Sequence, residues 1–597
     1  MRNARVSGRM AAANPQSAIR MAAVNPQSAI RNPLPAIDPL ERWAAGLLLL
    51  AALALRCLYI LRYRYDSDEA QHLHTTWGWT QGLLQYRDFF DNHTPLFHIL
   101  FSPLVAALGE RTNILTFMRI AMVPLWIVSL WCVWTIGSRL YSRRAGLWAA
   151  VILSLLTQWF FCSVEYRTDN LWTPLWLGTL TVLLTGNLSK LRAFCGGLLL
   201  GLCFCASMKT SALVFAAALA AAFALVLCGS AWRVNSFRRV FSTAALVVAG
   251  ALIAPSALCV FFAAKGAWDP FYYGVIKHNL VSGVDAANHP LYLRLALPLA
   301  LPFLLMAARK ISRSSTRFST AIRRTFLFLT AGIYFCALYS IWTLLTRQDF
   351  LPFYPMIVVS ATPYILQGVD RAARYFEPRV NERTFRTGAI VGIAVLEIVF
   401  VVGGRSPLIN GTIREREILS EVLRLTRPGE YVMDFKGESV FRMRAFRYVL
   451  EPLTFVRIKQ GSIADDVAQE LVDKHTCAVL NQDRWYPKQA AAFMAENYLP
   501  VGRYRVPGRV ISSQPTAAGA EVRFEVAIPA RYLIWSDDQD VHGALDEKPY
   551  EGATELNPGA HTFKPAEAHA RIAIFWARAS EAGFKPLLDH LEWQYFR

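Results

Sequence analysis

Residues 43–74 read WAAGLLLLAALALRCLYILRYRYDSDEAQHLH. From Trp43 to Leu61 the stretch is apolar except for Arg56. At 1.5 Å per residue, a run of this kind crosses about 30 Å of hydrocarbon as one helix. The chain then turns abruptly to Asp66, Asp68 and Glu69, with His72 and His74 close behind. A span that ends in packed ionisable groups puts polar chemistry at a membrane surface. This reading sets the fold class, an α-helical polytopic membrane protein.

Further apolar runs lie at 114–138, 146–162, 170–186, 193–208, 210–229, 240–262, 292–308, 325–342, 351–367 and 387–403, so about eleven spans are expected. The pair 193–208 and 210–229 also reads as one bent helix. Composition agrees: 54% of residues are hydrophobic and 18% charged, against about 25% charged in a soluble domain. The net charge is +19. With the N-terminus inside, the cations gather in alternate short loops: Arg139, Arg143 and Arg144; Lys190 and Arg192; Arg233, Arg238 and Arg239; Arg309 to Arg324; Arg371 to Arg386. Opposite loops carry few, namely Arg167, Lys209, Lys265, Lys277 and Arg347. This is the positive-inside pattern, and it argues against nucleic acid as the partner. An odd number of spans puts the tail outside the cytoplasm. Multi-pass insertion in a bacterial plasma membrane is the expected location.

Four regions follow. Residues 1–42 carry a tandem copy, MAAANPQSAIR at 10–20 and MAAVNPQSAIR at 21–31, in a basic stretch without an apolar core. They read as a disordered cytoplasmic extension. Residues 43–404 form the membrane domain. Residues 405–515 mix helix and strand patterns, with helices expected at Ile463–His475 and Gln489–Tyr498 and a strand at Cys477–Leu480, so a small α/β layer is expected. Residues 516–597 read mostly as strands, at Val522–Ala527, Tyr532–Trp535 and Arg571–Ala577. Most cysteines sit inside apolar runs and read as small hydrophobes.

Three polar stretches could carry chemistry. If Asp68–Leu84 is a helix, Asp68 and His72 share a face and Glu69 lies on the next; acids also simply favour helix N-termini. Phe89-Phe90-Asp91-Asn92-His93-Thr94-Pro95-Leu96 sets charge beside aromatics, as an interfacial anchor would. Glu165-Tyr166-Arg167-Thr168-Asp169-Asn170 places charges between two spans with almost no loop, which is costly unless they line a wet cavity or pair with one another. Glu397 falls near the middle of the last span, where it either serves a function or hydrogen-bonds within the bundle. Arg56 can snorkel.

Together these stretches resemble the GT-C glycosyltransferases, in the branch of protein O-mannosyltransferases and the lipid A aminoarabinose transferase. The resemblance spans roughly 43–403 and implies a polyprenyl-phosphate sugar as donor. Asp68 matches the family's catalytic acid by position, with Glu69 beside it, and Asp169 matches the acid of the second loop. His93-Thr94-Pro95 stands where the family often has His-Pro-Pro or Lys-Pro-Pro. Arg347-Gln348-Asp349-Phe350-Leu351-Pro352 stands near the family's Arg or Tyr before Leu-Pro.

The implied reaction has an anionic leaving group, so cations must hold it: His93, Arg167, Lys209, Lys277, His278 and Arg347 are the candidates. Asp68 would take the proton of the incoming hydroxyl, and single displacement would invert the anomeric carbon. No cofactor is required, although Asp68, Glu69, His72 and His74 could bind a divalent ion. The expected partners are the lipid-linked donor, the bilayer and an extracytoplasmic acceptor (glycan, lipid or protein) that the tail guides without doing chemistry. The rival readings are a flippase for lipid-linked sugars and an inactive sugar-binding assembly protein.

Overall fold

The computed structural model describes residues 37–229, 234–280, 290–315, 317–342, 345–376, 380–482, 485–536 and 541–587. The tandem repeat, Arg233, Arg379 and the 281–289 part of the second long loop lie outside them.

Every apolar run singled out in the sequence is helical. The first helix, Pro39–Arg62, starts where Asp38 accepts the Leu40 N–H at 2.8 Å and proline occupies the first turn. Ala45, Leu48 and Ala52 are buried on one face, while Trp43 is 75% and Leu47 66% exposed on the other. Large apolar side chains bared in this way suit hydrocarbon and would be a liability in water. Among the described residues, six helices are long and apolar enough to cross a membrane, or seven if one bent pair counts as a single span. The expected eleven is thus not reproduced as a count. Asp169–Leu184 and Lys190–Ala206 are short, at 16 and 17 residues, and Ala296–Arg313 and Phe353–Phe376 carry charges in their final turns. Residues 193–208 and 210–229 become two helices, Lys190–Ala206 and Thr210–Leu227, separated by Ser207–Lys209.

The bent pair is Arg143–Leu155 and Thr157–Val164, with 66° between them. Breaking a helix frees backbone groups that lipid cannot satisfy. Here Glu397 satisfies them: its carboxylate accepts from the Thr157 N–H at 3.1 Å and from the Thr157 hydroxyl at 2.9 Å. Arg56 does not snorkel; it is fully buried and donates to the hydroxyl and carbonyl of Ser163. Elsewhere close packing decides. Gly197 and Gly201 of Lys190–Ala206 meet the backbone of Val234–Ala264, where a Cβ on Gly197 would lie 2.2 Å from the Val247 carbonyl oxygen. Small residues four apart allow this approach.

Among the described residues, the soluble region carries twelve strands. They are β1 (Tyr431–Met433), β2 (Met443–Arg444), β3 (Ala478–Leu480), β4 (Tyr498–Pro500), β5 (Tyr504–Ser512), β6 (Val522–Val526), β7 (Ala530–Trp535), β8 (Gly543–Leu545), β9 (Lys548–Tyr550), β10 (Thr554–Leu556), β11 (Gly559–Pro565) and β12 (Ile572–Trp576). Eight form one sheet in the order β10-β7-β12-β5-β3-β1-β2, with β4 also on β5; the other four run β6-β11-β8-β9. β1 pairs in parallel with β2 and β3, and the remaining pairs are antiparallel. The larger sheet therefore draws on both 405–515 and 516–597, joined where β5 pairs with β12. Helices appear at Val467–Asp473 and Lys488–Asn497, near the expected positions.

The two ends of the helical bundle differ. At one end Arg144 pairs with Glu41 at 2.7 Å and Asp370 at 2.9 Å, and Arg383 with Asp38 at 2.7 Å. At the other, the soluble region rests on the first long loop: the Gly411 N–H donates to the Arg62 carbonyl at 2.8 Å, and Arg442 meets Glu110 at 2.7 Å.

Candidate active site

The helix Ser67–Thr80 begins with a capping box: Asp66 accepts the Asp68 N–H at 3.2 Å, and Glu69 accepts the Asp66 N–H at 2.8 Å. This start aims two neighbouring acids in different directions. Glu69 turns inward and is fully buried. Arg119 grips it through Nε at 2.7 Å and a second nitrogen at 2.5 Å, and the Tyr166 N–H adds a bond at 2.8 Å. Glu69 is thereby occupied in joining the first loop to the helix Ile114–Ile120, and it does not line the cavity described next. Asp68 faces that cavity.

The cavity holds about 370 Å³ between the helical bundle and the soluble region. Its polar lining includes Asp68, Gln71, Asn92, His93, Arg167, Lys209, Asp349 and Glu451. Its apolar lining includes Met208, Val275, Ile276, Leu280, Ile341, Trp342 and Leu453. Beside it runs a ladder of alternating charges. Lys436 Nζ lies 2.5 Å from one Asp68 oxygen, and Arg167 lies 2.7 Å from the other. Arg167 Nε is 3.6 Å from Asp169, Lys209 is 3.0 Å from Asp169, and Lys209 is 2.5 Å from Asp349. Six residues that are scattered from 68 to 436 in sequence thus become neighbours. Burial opposes charge on Asp68, yet Arg167 and then Lys436 outweigh it and hold the carboxyl well below its usual range.

A second group lies beside the ladder. His93 Nδ1 is 3.1 Å from Asp91, and Asp91 also accepts from the side chains of Gln71 at 2.8 Å and Gln85 at 3.0 Å. Although burial disfavours the imidazolium, Asp91 raises the His93 pKa above its ordinary value. Burial likewise opposes ionised Asp91, but His93 holds its carboxyl down at about 2. His72, one turn after Asp68 on the same helix, packs against His98 with 3.1 Å between ring nitrogens.

The structure thus brings together Asp68, Asp169, His93, Arg167 and Lys209. It sets others apart. His278 is buried, 3.6 Å from Glu451, outside the cavity wall. Lys277 lies over the Tyr272 ring at 5.4 Å, and Arg347 is exposed. The tight turn Arg347–Phe350 explains the last: its capping box, with the Thr346 N–H 2.6 Å from the Asp349 carboxylate, points Asp349 inward and leaves Arg347 outside. Asp349 belongs to the same Arg347–Pro352 stretch, where an acid beside an apolar run is the signal that marks it. Lys436 and Glu451 had no such signal, because nothing in a soluble tail marks which side chain returns to the membrane. The four residues considered for a metal diverge: Asp68 faces the cavity, Glu69 faces Arg119, His72 meets His98, and His74 meets the Val440 carbonyl at 2.9 Å. Among the described residues no group of three or more His, Cys, Asp or Glu is arranged to hold a metal ion.

No family model matches the sequence, and comparison with curated proteins finds no match. Solved structures do match. The crystal structure of ArnT from Cupriavidus metallidurans in the apo state is 13% identical, covers 78% of this chain and 98% of its own, and superposes with a TM-score of 0.50. The chain shares the fold of that ArnT structure. The same ArnT bound to undecaprenyl phosphate gives the same identity, coverage and score. The oligosaccharyltransferase AglB from Archaeoglobus fulgidus, in complex with an inhibitory peptide and a dolichol-phosphate, is 12% identical, covers 91% of this chain and 97% of its own, and has a TM-score of 0.47. The shared fold here consists of the helical bundle and the sheet-containing region that sits on one end of it.

Proposed function

We propose that this protein is a membrane glycosyltransferase that moves a hexosyl or pentosyl group from a polyprenyl-phosphate carrier to an extracytoplasmic acceptor. The observation that carries the reading is the mixed lining of the cavity, where Asp68, paired with Arg167 and Lys436, shares the walls with apolar side chains such as Val275, Leu280 and Trp342. A lipid-linked sugar phosphate needs both: cations for the phosphate and apolar surface for the first isoprene units. The crystal structure of ArnT with undecaprenyl phosphate supports the same class of donor.

In the proposed reaction the acceptor hydroxyl attacks the anomeric carbon while the bond from that carbon to the phosphate oxygen breaks. The electron pair leaves with the phosphate, and the hydroxyl proton passes to Asp68. One displacement inverts the anomeric centre. His93, whose pKa Asp91 raises, and Lys209 supply positive charge for the leaving phosphate. Arg167 orients Asp68, and Asp169 orients Arg167 and Lys209. A flippase is less well supported, because transporters gather polar groups near the bilayer midplane on broken helices, whereas these charges gather at one end of the bundle.

The test is release of undecaprenyl phosphate from synthetic undecaprenyl-phosphate sugars by the purified full-length protein. Asp68→Asn should stay folded and lose about 10²–10⁴-fold in rate, the usual worth of a general base. A well-folded Asp68→Asn protein with an unchanged rate would remove Asp68 from the mechanism. Wild-type protein inert toward every such donor would remove the reaction.

A further inference from the structure

The soluble region sets one lysine against Asp68, and the turn that carries it is built in detail. Lys436 lies in Asp434–Ser439. Asp434 accepts from the N–H groups of Gly437 at 2.9 Å and Ser439 at 2.8 Å, while Glu438 accepts from those of Phe435 at 3.1 Å and Lys436 at 2.9 Å. Gly437 has φ of 106°, and a Cβ there would fall 2.6 Å from the His74 Cβ. Both the backbone angle and the close approach require glycine. The turn therefore rests on the helix that carries Asp68, and the backbone of Lys436 is fixed beside the cavity.

With Lys436 on one oxygen and Arg167 on the other, Asp68 has a cation on each oxygen and is a weaker acceptor of a hydroxyl proton until one withdraws. Arg167 is the anchored partner. It is 4% exposed and also meets Asp66 at 3.0 Å and Asp169 at 3.6 Å. Among the described residues, Lys436 has Asp68 as its sole ion-pair partner. It also has a flexible four-carbon stem and a point charge able to swing. Glu451, across the cavity wall, draws it the same way. A phosphate entering the cavity would bring more negative charge than Asp68 carries and would offer several acceptor oxygens.

We propose that Lys436 is an exchangeable counter-ion, which holds Asp68 before the donor arrives and passes to the donor phosphate once it is seated. The exchange leaves an oxygen of Asp68 open to the acceptor hydroxyl, and it places a cation between two anions that would otherwise repel. Base and donor are thereby coupled. The inference rests on the reaction proposed above, and it gives the soluble region a part in the chemistry beyond guiding the acceptor.

The experiment measures binding of sugar-free undecaprenyl phosphate to the full-length protein in detergent. Four proteins are compared: wild type, Lys436→Met, Asp68→Asn and the double variant. Lys436→Met should bind about 10-fold to 100-fold more weakly, the range for one charge-assisted contact. Asp68→Asn should bind more tightly than wild type, since Lys436 no longer has to leave a carboxylate. That gain should vanish in the double variant, which a lysine of merely structural role would not produce. Lys436→Arg guards against misfolding of the methionine variant and should recover most of the affinity. Wild-type binding with no gain in Asp68→Asn, or with no loss in Lys436→Met, overturns the exchange and leaves the proposed reaction standing. No binding by wild type overturns both.

Discussion

Two acids adjacent in sequence have opposite surroundings, and substitution should separate them. Asp68 meets its cations at the cavity edge, whereas Glu69 is fully buried and bidentate on Arg119. Removing one partner of a buried pair strands the other charge, at about 3–5 kcal/mol. Glu69→Ala should therefore lose folded protein in a detergent melting assay. A Glu69→Ala protein that melts like wild type but fails in transfer would make Glu69 part of the chemistry after all. Asp91 and His93 give a pH signature. His93 has a raised folded-state pKa, so its contribution is complete below the unfolded value near 6.5 and fades as pH rises through the folded one. Asp91 has a lowered pKa, so its contribution is present above about 3.8 and fades as pH falls toward 2. The difference in melting temperature between wild type and His93→Gln should be greatest from about pH 4 to 6.5. A difference that grows above pH 8 would contradict the pairing.

At the scale of elements, the bent span shows how a half-buried carboxyl can serve structure. The break after Leu155 leaves the Thr157 N–H inside the bundle, and Glu397 of the helix Glu382–Gly404 reaches across to it. Glu397→Gln keeps an acceptor oxygen and should melt near wild type. Glu397→Leu leaves the donor unpaired and should cost about 1–3 kcal/mol. Equal melting of the two variants would mean that the bend is satisfied by other means. The turn Arg347–Phe350 makes a related point, since a single capping box decides that Asp349 enters the cavity and Arg347 does not.

At the scale of the molecule, the soluble region and the first long loop share one end of the bundle, and the expected inner arginines pair at the other. The charge asymmetry predicts that the soluble end faces away from the cytoplasm. Ser462 is exposed on that region. A Ser462→Cys protein, made with Cys477 replaced by serine, should react with an impermeant maleimide in intact cells. Reaction only after lysis would reverse the orientation.

The sequence by itself determined the class of the molecule, because apolar runs, loop cations and a polar tail are local properties that survive without tertiary contacts. It also offered Asp68, His93, Arg167, Lys209 and Asp169, through polar stretches beside apolar runs and the family resemblance that those stretches carry. Three matters were decided only by the tertiary structure. Glu69 points away from the cavity toward Arg119, 50 residues away in sequence, and no spacing rule joins the two. The span count depended on helix lengths and end charges, which an apolar run does not fix at its margins. Lys436 entered the site because a turn in the soluble region folds back onto the helix bearing Asp68, across 368 residues. Contacts of that range follow from packing of whole layers, and no window of sequence contains both partners.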